Sequence, residues 1–198
     1  MMQHLIIGGS DAGISAALRI KEIDPKAPVT VMATDAYPNF SICALPFYLS
    51  GEVKDWRTLA HRTVEQITKH GIDLLLDHKA LSIDPQARQV QARSSDGNKR
   101  RIRYGKLLIA TGAESAKPPI EGLENPGAFF LRWLDDSFAV RRFMDQKSPK
   151  KAVIIGTGPN RRHRSGNRKS DPCGQAHGHG DGGYLGGRGL RANLTPHA

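Results

Sequence analysis

Leu5-Ile6-Ile7 is a short continuous apolar run, the pattern of a strand buried on both faces, and a glycine turn follows it at once. Ile14 to Lys21 predicts a helix with small residues on its first turns, ended by Asp24-Pro25. Val29-Thr30-Val31-Met32 predicts a second strand. A strand, a turn, a helix and a strand within 32 residues imply a right-handed crossover between parallel strands.

Residues 35–52 read as a loop and a helix start, dense in Pro, Asn, Ser and aromatic side chains. His61 to His70 predicts a helix with Val64, Ile67 and Thr68 on one face, stopped by Gly71, and Ile72 to Leu76 predicts a third short strand. Gln89 to Arg93 and Lys99 to Tyr104 flank Ser95-Asp96-Gly97-Asn98, whose Asp-Gly pair supplies the positive φ of a tight hairpin. Leu107 to Ala110 reads as another buried strand, closed by Thr111-Gly112. A Pro-rich connector, Lys117 to Gly122, and a helix around Asp135 to Met144 come next. Ala152-Val153-Ile154-Ile155 then opens a second strand leading to a glycine turn. The pattern describes an α/β, Rossmann-like nucleotide-binding fold, a parallel sheet with helices plus a small β-meander, and an incomplete one.

From Asn160 the pattern is lost. The last 39 residues hold nine glycines and four histidines and show no period of 2 or 3.6, so they bury too little apolar surface to offset their ordering entropy. We read 1–148 as one nucleotide domain, 149–159 as the start of another, and 160–198 as a disordered tail. GC-rich coding sequence translated out of frame yields such runs of Gly, Arg, His and Pro. The expectation is therefore a frameshift at this point, with a continuation like Ile-Gly-x-Glu one base away.

Composition changes this picture little. The 198 residues are 38% hydrophobic and 24% charged, ordinary for a soluble globular protein. No run approaches the roughly 20 apolar residues of a membrane span. The apolar start is too short, and has no Lys or Arg before it, to be a secretory signal, so the expected address is cytoplasmic. The net charge of +10 invites a nucleic-acid reading. Residues 1–159, however, hold 22 basic against 17 acidic side chains, and half of the excess sits in the tail. A basic nucleic-acid binder is the weaker alternative, and neither nucleic acid nor membrane is expected as a partner.

Gly8-Gly9-Ser10-Asp11-Ala12-Gly13 follows a strand and opens a helix, the setting a dinucleotide fingerprint requires. Gly8 allows the tight turn, Gly13 lets the helix pack close to the strand, and amides at the helix start face a pyrophosphate. Ser10 stands where the middle glycine is usual. The acidic ribose partner should close the second strand. Ala33 is there, and Asp35, two residues on, either reaches a ribose hydroxyl or faces water. Gly156-Thr157-Gly158-Pro159 repeats the strand-glycine pattern, which suggests two nucleotide domains, one for FAD and one for NAD(P)H. Arg161 replaces the third glycine, so this second site is incomplete. His177 and His179 with Cys173 lack a full ligand set and predict no metal.

Asn39 to Tyr48, with Cys43-Ala44-Leu45-Pro46 at its centre, resembles the active-site segment of the single-cysteine branch of the pyridine nucleotide–disulfide oxidoreductases, which includes coenzyme A-disulfide reductases, NADH oxidases and NADH peroxidases. The resemblance covers residues 3–159 in order. It runs from the first glycine turn through the Cys-x-Leu-Pro loop, Ile109 to Ala113 and Pro118-Pro119-Ile120-x-Gly122 to the second glycine turn.

The resemblance implies an FAD-binding protein in which Ala110, Thr111 and Gly112 lie beside the cofactor and Ser41 and Cys43 near its reactive ring. Hydride would pass from NAD(P)H to flavin, and electrons then to an oxidised Cys43. The acceptor would be a small-molecule disulfide, oxygen or peroxide, and the parent protein a homodimer. A helix N-terminus and the flavin would favour the thiolate. Tyr48 occupies the place of a second cysteine, which excludes a two-cysteine mechanism. Asp11 stands where the oxidases and peroxidases carry a histidine. A carboxylate there disfavours the thiolate and tilts the expectation toward disulfide reduction. Two alternatives stand beside this one: a truncated, inactive product, and a buried, inert Cys43.

Overall fold

The computed structural model describes residues 2–155; the expected tail, 160–198, lies outside them. Four parallel strands form the central sheet: β1 (His4–Ile7), β2 (Val29–Met32), β3 (Ile72–Leu75) and β7 (Lys106–Ile109). Their order is β3-β2-β1-β7, so the chain runs outward from β1 on one side and returns to its other side at β7. Helix α1 (Asp11–Ile23) makes the crossover from β1 to β2. This is the arrangement of a nucleotide-binding half, in which ligands meet the carboxyl ends of the strands where the order reverses.

Alternation along the strands explains both faces. Ile6, Val29 and Val31 point to one side and pack with Ile14 and Ala17 of α1, with Ile67 of α3 (Val64–Lys69) and with Ile72. Leu5, Ile7 and Met32 point to the other side, where Val90 and Ala92 cover them. Those two residues belong to β5 (Gln89–Ser94), the middle strand of an antiparallel sheet with β4 (His78–Asp84) and β6 (Lys99–Arg103). The expected hairpin is thus two-thirds of a three-stranded meander.

A third cluster lies under residues 37–59. Phe40, Leu45, Leu59 and Leu134 are buried there, and Tyr37, Tyr48, Trp56 and Phe138 pack against them. The rings of Tyr37, Trp56 and Tyr48 all stand edge-on to Phe138 of α4 (Leu134–Lys147), at centroid distances of 5.8, 5.4 and 6.0 Å. Such arrangements are favoured by the ring quadrupoles.

Three sequence expectations need correction. The strand read at Leu107 to Ala110 is present as β7, but it lies at the sheet's edge with Leu108 and Ile109 exposed and is not buried. The helix read over His61 to His70 is shorter, because Thr63 caps it: its hydroxyl accepts from the Gln66 amide while the Gln66 side chain accepts from the Thr63 amide. Ala152–Ile155 was expected as a strand but belongs to none, and Val153 is 89% exposed. An apolar run becomes a strand only when a neighbouring backbone takes its hydrogen bonds, and none does so among the described residues. No helix among them is long and apolar enough to cross a membrane.

Candidate functional site

Gly8, Gly9 and Ser10 form the turn from β1 into α1, and Asp11, Ala12 and Gly13 open the helix, as the sequence predicted. Gly8 holds φ at +125°, and a Cβ on it would run into the carbonyl of Ala110. At Gly13 a Cβ would run into the Gly8 carbonyl. Between them, Gly9 leaves a Cβ only 2.8 Å from that of Ala33. The three glycines therefore exist for close approach of helix, strand and loop. Ser10 is the N-cap of α1 but makes no capping hydrogen bond, and Ser10, Asp11 and Ala12 are exposed. A helix start with no side-chain cap and an open face can receive an anion.

Ala110, Thr111 and Gly112 follow β7 directly beside this turn: the Ala110 amide donates to Ile7 at 2.8 Å. Thr111 and Gly112 are exposed. Arg132, which sequence reading missed, joins them. Its Nε donates to the Ala113 carbonyl at 3.1 Å, and its guanidinium lies close to Gly112.

Asp35 is half-buried, and its Oδ1 accepts from the Tyr37 amide at 3.0 Å. Burial raises its pKa, opposed by that hydrogen bond; the negative charges of Asp135 and Asp77 raise it further. A carboxyl raised in the folded state favours folding below its unfolded pKa, and that contribution is lost as pH rises through the folded value. Asp35→Asn keeps the acceptor for Tyr37 and removes the charge. We expect it to raise the melting temperature at neutral pH by about 2 °C and to give no gain near pH 3. Thermal denaturation across that range checks this.

Cys43 is exposed. It sits in a single 3₁₀ turn, Ile42–Ala44, whose N-cap is Ser41 and whose flanking residues Ile42, Ala44 and Leu45 pack into the aromatic cluster. The expected burial of the alternative reading is thereby corrected: the neighbours are anchored in the core and Cys43 itself is exposed. The helix that follows, α2 (Leu45–Ser50), has only six residues, so few aligned peptides stand behind the expected helix-terminus effect.

The cysteine segment is fastened to the glycine turn by Asn39. This residue is 1% exposed and left-handed at φ +56°, a conformation asparagine tolerates better than most. Its amide donates to the Gly9 carbonyl at 2.7 Å, and its side-chain Nδ2 donates to Asp11 Oδ1 at 2.7 Å. A second segment zips on beside it. The Ser41 amide donates to Leu59 and the His61 amide to Asn39, both at 2.7 Å, around a bridge between Phe40 and Ala60. The result brings His61 Nδ1 to 3.1 Å from the same Asp11 oxygen. The glycine turn itself carries no imidazole, as expected, yet the fold delivers one to it from 50 positions along the chain. Neither Asn39 nor His61 was found by sequence reading. The only local signal was an asparagine after a proline, a common loop pairing.

Gly156 and Gly158 lie outside the described residues, as do Cys173, His177 and His179. Among the described residues no three His, Cys, Asp or Glu side chains are grouped to hold a metal.

Against known proteins, the family model described as pyridine nucleotide-disulphide oxidoreductase matches residues 2–160. An NAD(P)H sulfur oxidoreductase (CoA-dependent) of Pyrococcus abyssi is 33% identical over 155 residues, 78% of this chain and 34% of that protein. An NADH oxidase of Methanocaldococcus jannaschii is 28% identical over 158 residues, 79% of this chain and 35% of that protein. A solved NAD-dependent persulfide reductase from A. fulgidus superposes with a TM-score of 0.68 at 33% identity, covering 73% of this chain and 27% of that one. The chain spans about a third of the length of the curated relatives it matches.

Proposed function

The chain belongs to the pyridine nucleotide-disulphide oxidoreductase family, and from that premise we propose that it carries the FAD-binding face of an oxidoreductase that moves electrons from NAD(P)H through flavin to the single thiol of Cys43. The observation that carries this reading is the tie between the two halves of the site. The segment bearing an exposed cysteine is hydrogen-bonded, through Asn39, to the glycine turn that would hold a dinucleotide.

The residues present fit such a group. Gly8, Gly9 and Gly13 let β1, α1 and the neighbouring loops approach as closely as a dinucleotide turn requires, and the start of α1 is exposed and uncapped. Thr111 and Gly112 offer a second open edge, and Asp35 keeps one carboxylate oxygen for a ribose hydroxyl. When bound, FAD would supply hydride acceptance from NAD(P)H and two-electron delivery to sulfur. The chain's own contribution is to hold the pyrophosphate on backbone amides and to present the sulfur.

The Cys43 thiolate would attack one sulfur of a small disulfide, breaking the S–S bond and releasing one thiolate. A mixed disulfide would remain on Cys43, and two electrons with one proton would free the second thiol and restore the thiolate. Relatives named for sulfur and persulfide chemistry support a low-molecular-weight disulfide or polysulfide as acceptor, in preference to oxygen or peroxide. The carboxylate of Asp11 supports the same choice.

The test is the visible spectrum of the purified 198-residue chain after incubation with FAD and gel filtration. A retained flavin spectrum that bleaches with dithionite is expected, and a colourless protein refutes the reading. A second reading, that this polypeptide by itself does not turn over, is favoured by exposed Ile109 and Leu108 on the outer strand β7 and by exposed Val153 and Ile155. It predicts flavin retention without NAD(P)H consumption.

A further inference from the structure

Positive charge is concentrated on one small sheet. Residues 78–106 hold eight Lys and Arg against two Asp, whereas the rest of residues 1–159 holds 14 basic against 15 acidic side chains. Strands β4, β5 and β6 set this charge in register. Lys79 lies opposite Arg93, and Arg93 opposite Lys99, so three like charges stand in a row across the strands, an arrangement that by itself destabilises a sheet. Along β6, Arg101 and Arg103 continue the same face, opposite Gln91 and Gln89. That face is turned away from the parallel sheet, because the alternate residues Val90 and Ala92 are the ones buried against it. All five cationic residues are exposed, and none is ion-paired among the described residues. Asp84, opposite Gln89, is the one acid in the three strands.

β6 is also an edge. It pairs with β5 alone, so alternate N–H and C=O groups of Lys99–Arg103 point away from the sheet, and no other backbone takes them among the described residues. Charge and free hydrogen-bonding groups thus fall on the same short strand. We propose that β6 receives an extended acidic segment of a partner protein as a fourth strand, its backbone completing the ladder and its alternate carboxylates meeting Lys99, Arg101 and Arg103. Register fixes the pattern. An acid belongs beside each of those three residues and an apolar residue beside Ile102, which already packs against Leu5 and Val90. A second copy of this chain is refused at this edge, since Lys and Arg would face Lys and Arg. A nucleic-acid strand would meet the charge but leave the edge backbone unused, and β4, β5 and β6 carry no Phe, Tyr or Trp on which a base can stack. Neither flavin nor Cys43 takes part.

The experiment measures fluorescence anisotropy of a labelled peptide that alternates Glu with Val, titrated with the full chain at low salt. Wild type should bind it. Arg101→Glu should weaken binding about tenfold, an attractive cross-strand pair having become a repulsive one. The triple variant Lys99→Glu/Arg101→Glu/Arg103→Glu should lose the Glu peptide and gain its Lys counterpart, an exchange that requires an intact strand. If circular dichroism shows that the triple variant does not fold, Arg101→Glu with the same two peptides decides. The backbone is tested separately. Of two Glu peptides N-methylated at odd or at even amides, one should lose binding and the other keep it, since only every second amide of a strand faces its neighbour. Absence of binding overturns the proposal, as do equal affinities for the two methylated peptides. So does a labelled oligothymidylate that binds more tightly than the Glu peptide and is weakened equally by Arg101→Glu.

Discussion

Gly13→Ala should cost about 3 kcal/mol and lower the melting temperature by roughly 10 °C, although it replaces a helical glycine with the best helix former. Propensity alone argues for a gain of up to about 1 kcal/mol. The opposing effect is steric: the new methyl would meet the carbonyl oxygen of Gly8, and Ile6 Cγ2 stands 3.3 Å away on the other side. A backbone carbonyl cannot rotate aside as a long side chain can, so the start of α1 must lift off β1. That movement also separates the first-turn amides from the place a pyrophosphate would occupy. Thermal denaturation and FAD retention should therefore fall together. A variant as stable as wild type would show that α1 and β1 are not as close as described.

The first βαβ unit is legible because its signals are local and mutually consistent. Leu5-Ile6-Ile7 is too short for a helix and too apolar for a loop, and the glycines that follow sit where close approach requires them. Val29–Met32 was found without error for the same reason. Strand β4 was missed because its burial alternates only weakly, with most of its residues exposed. Its pairing with β5 also carries a register shift between Ala80 and Ser82 that no local rule announces. The strand expected at Ala152–Ile155 shows the converse failure: the apolar run is real, but a strand is a property of pairs.

The site divides in the same way. Glycine turn, cysteine and Thr111-Gly112 were readable because each is a short motif in sequence. Asn39, His61 and Arg132 were not, because their roles come from contacts across 28, 50 and 19 positions. The aromatic cluster into which Ile42 and Ala44 pack is equally non-local: Phe138 reaches Tyr37 and Trp56 only once α4 has folded back. What sequence missed is the set of ties that turns two motifs into one site.

Asn39→Asp is the sharpest probe of those ties and should cost about 3–5 kcal/mol at neutral pH, the range for an uncompensated buried charge. The substitution changes one atom in size and shape but replaces a donor by a carboxylate facing the Asp11 carboxylate across 2.7 Å. Burial and the like charge would both raise the pKa of the new group above its unfolded value. Stability is then retained at low pH, where that group stays protonated and can still donate to Asp11, and is lost as pH rises through its folded pKa. Asn39→Gly separates the backbone from the side chain: it accepts φ +56° freely and keeps the backbone bonds to Gly9 and His61, so its cost should be nearer 1–2 kcal/mol and independent of pH. Adding Asp11→Asn to the aspartate variant should recover much of the loss, because the facing charge is gone. Urea denaturation near pH 4.5 and pH 8 reads all three. Equal cost at both pH values for Asn39→Asp would mean that the side chain does not face Asp11, and the fastening of the cysteine segment to the glycine turn would have to be sought in the backbone alone.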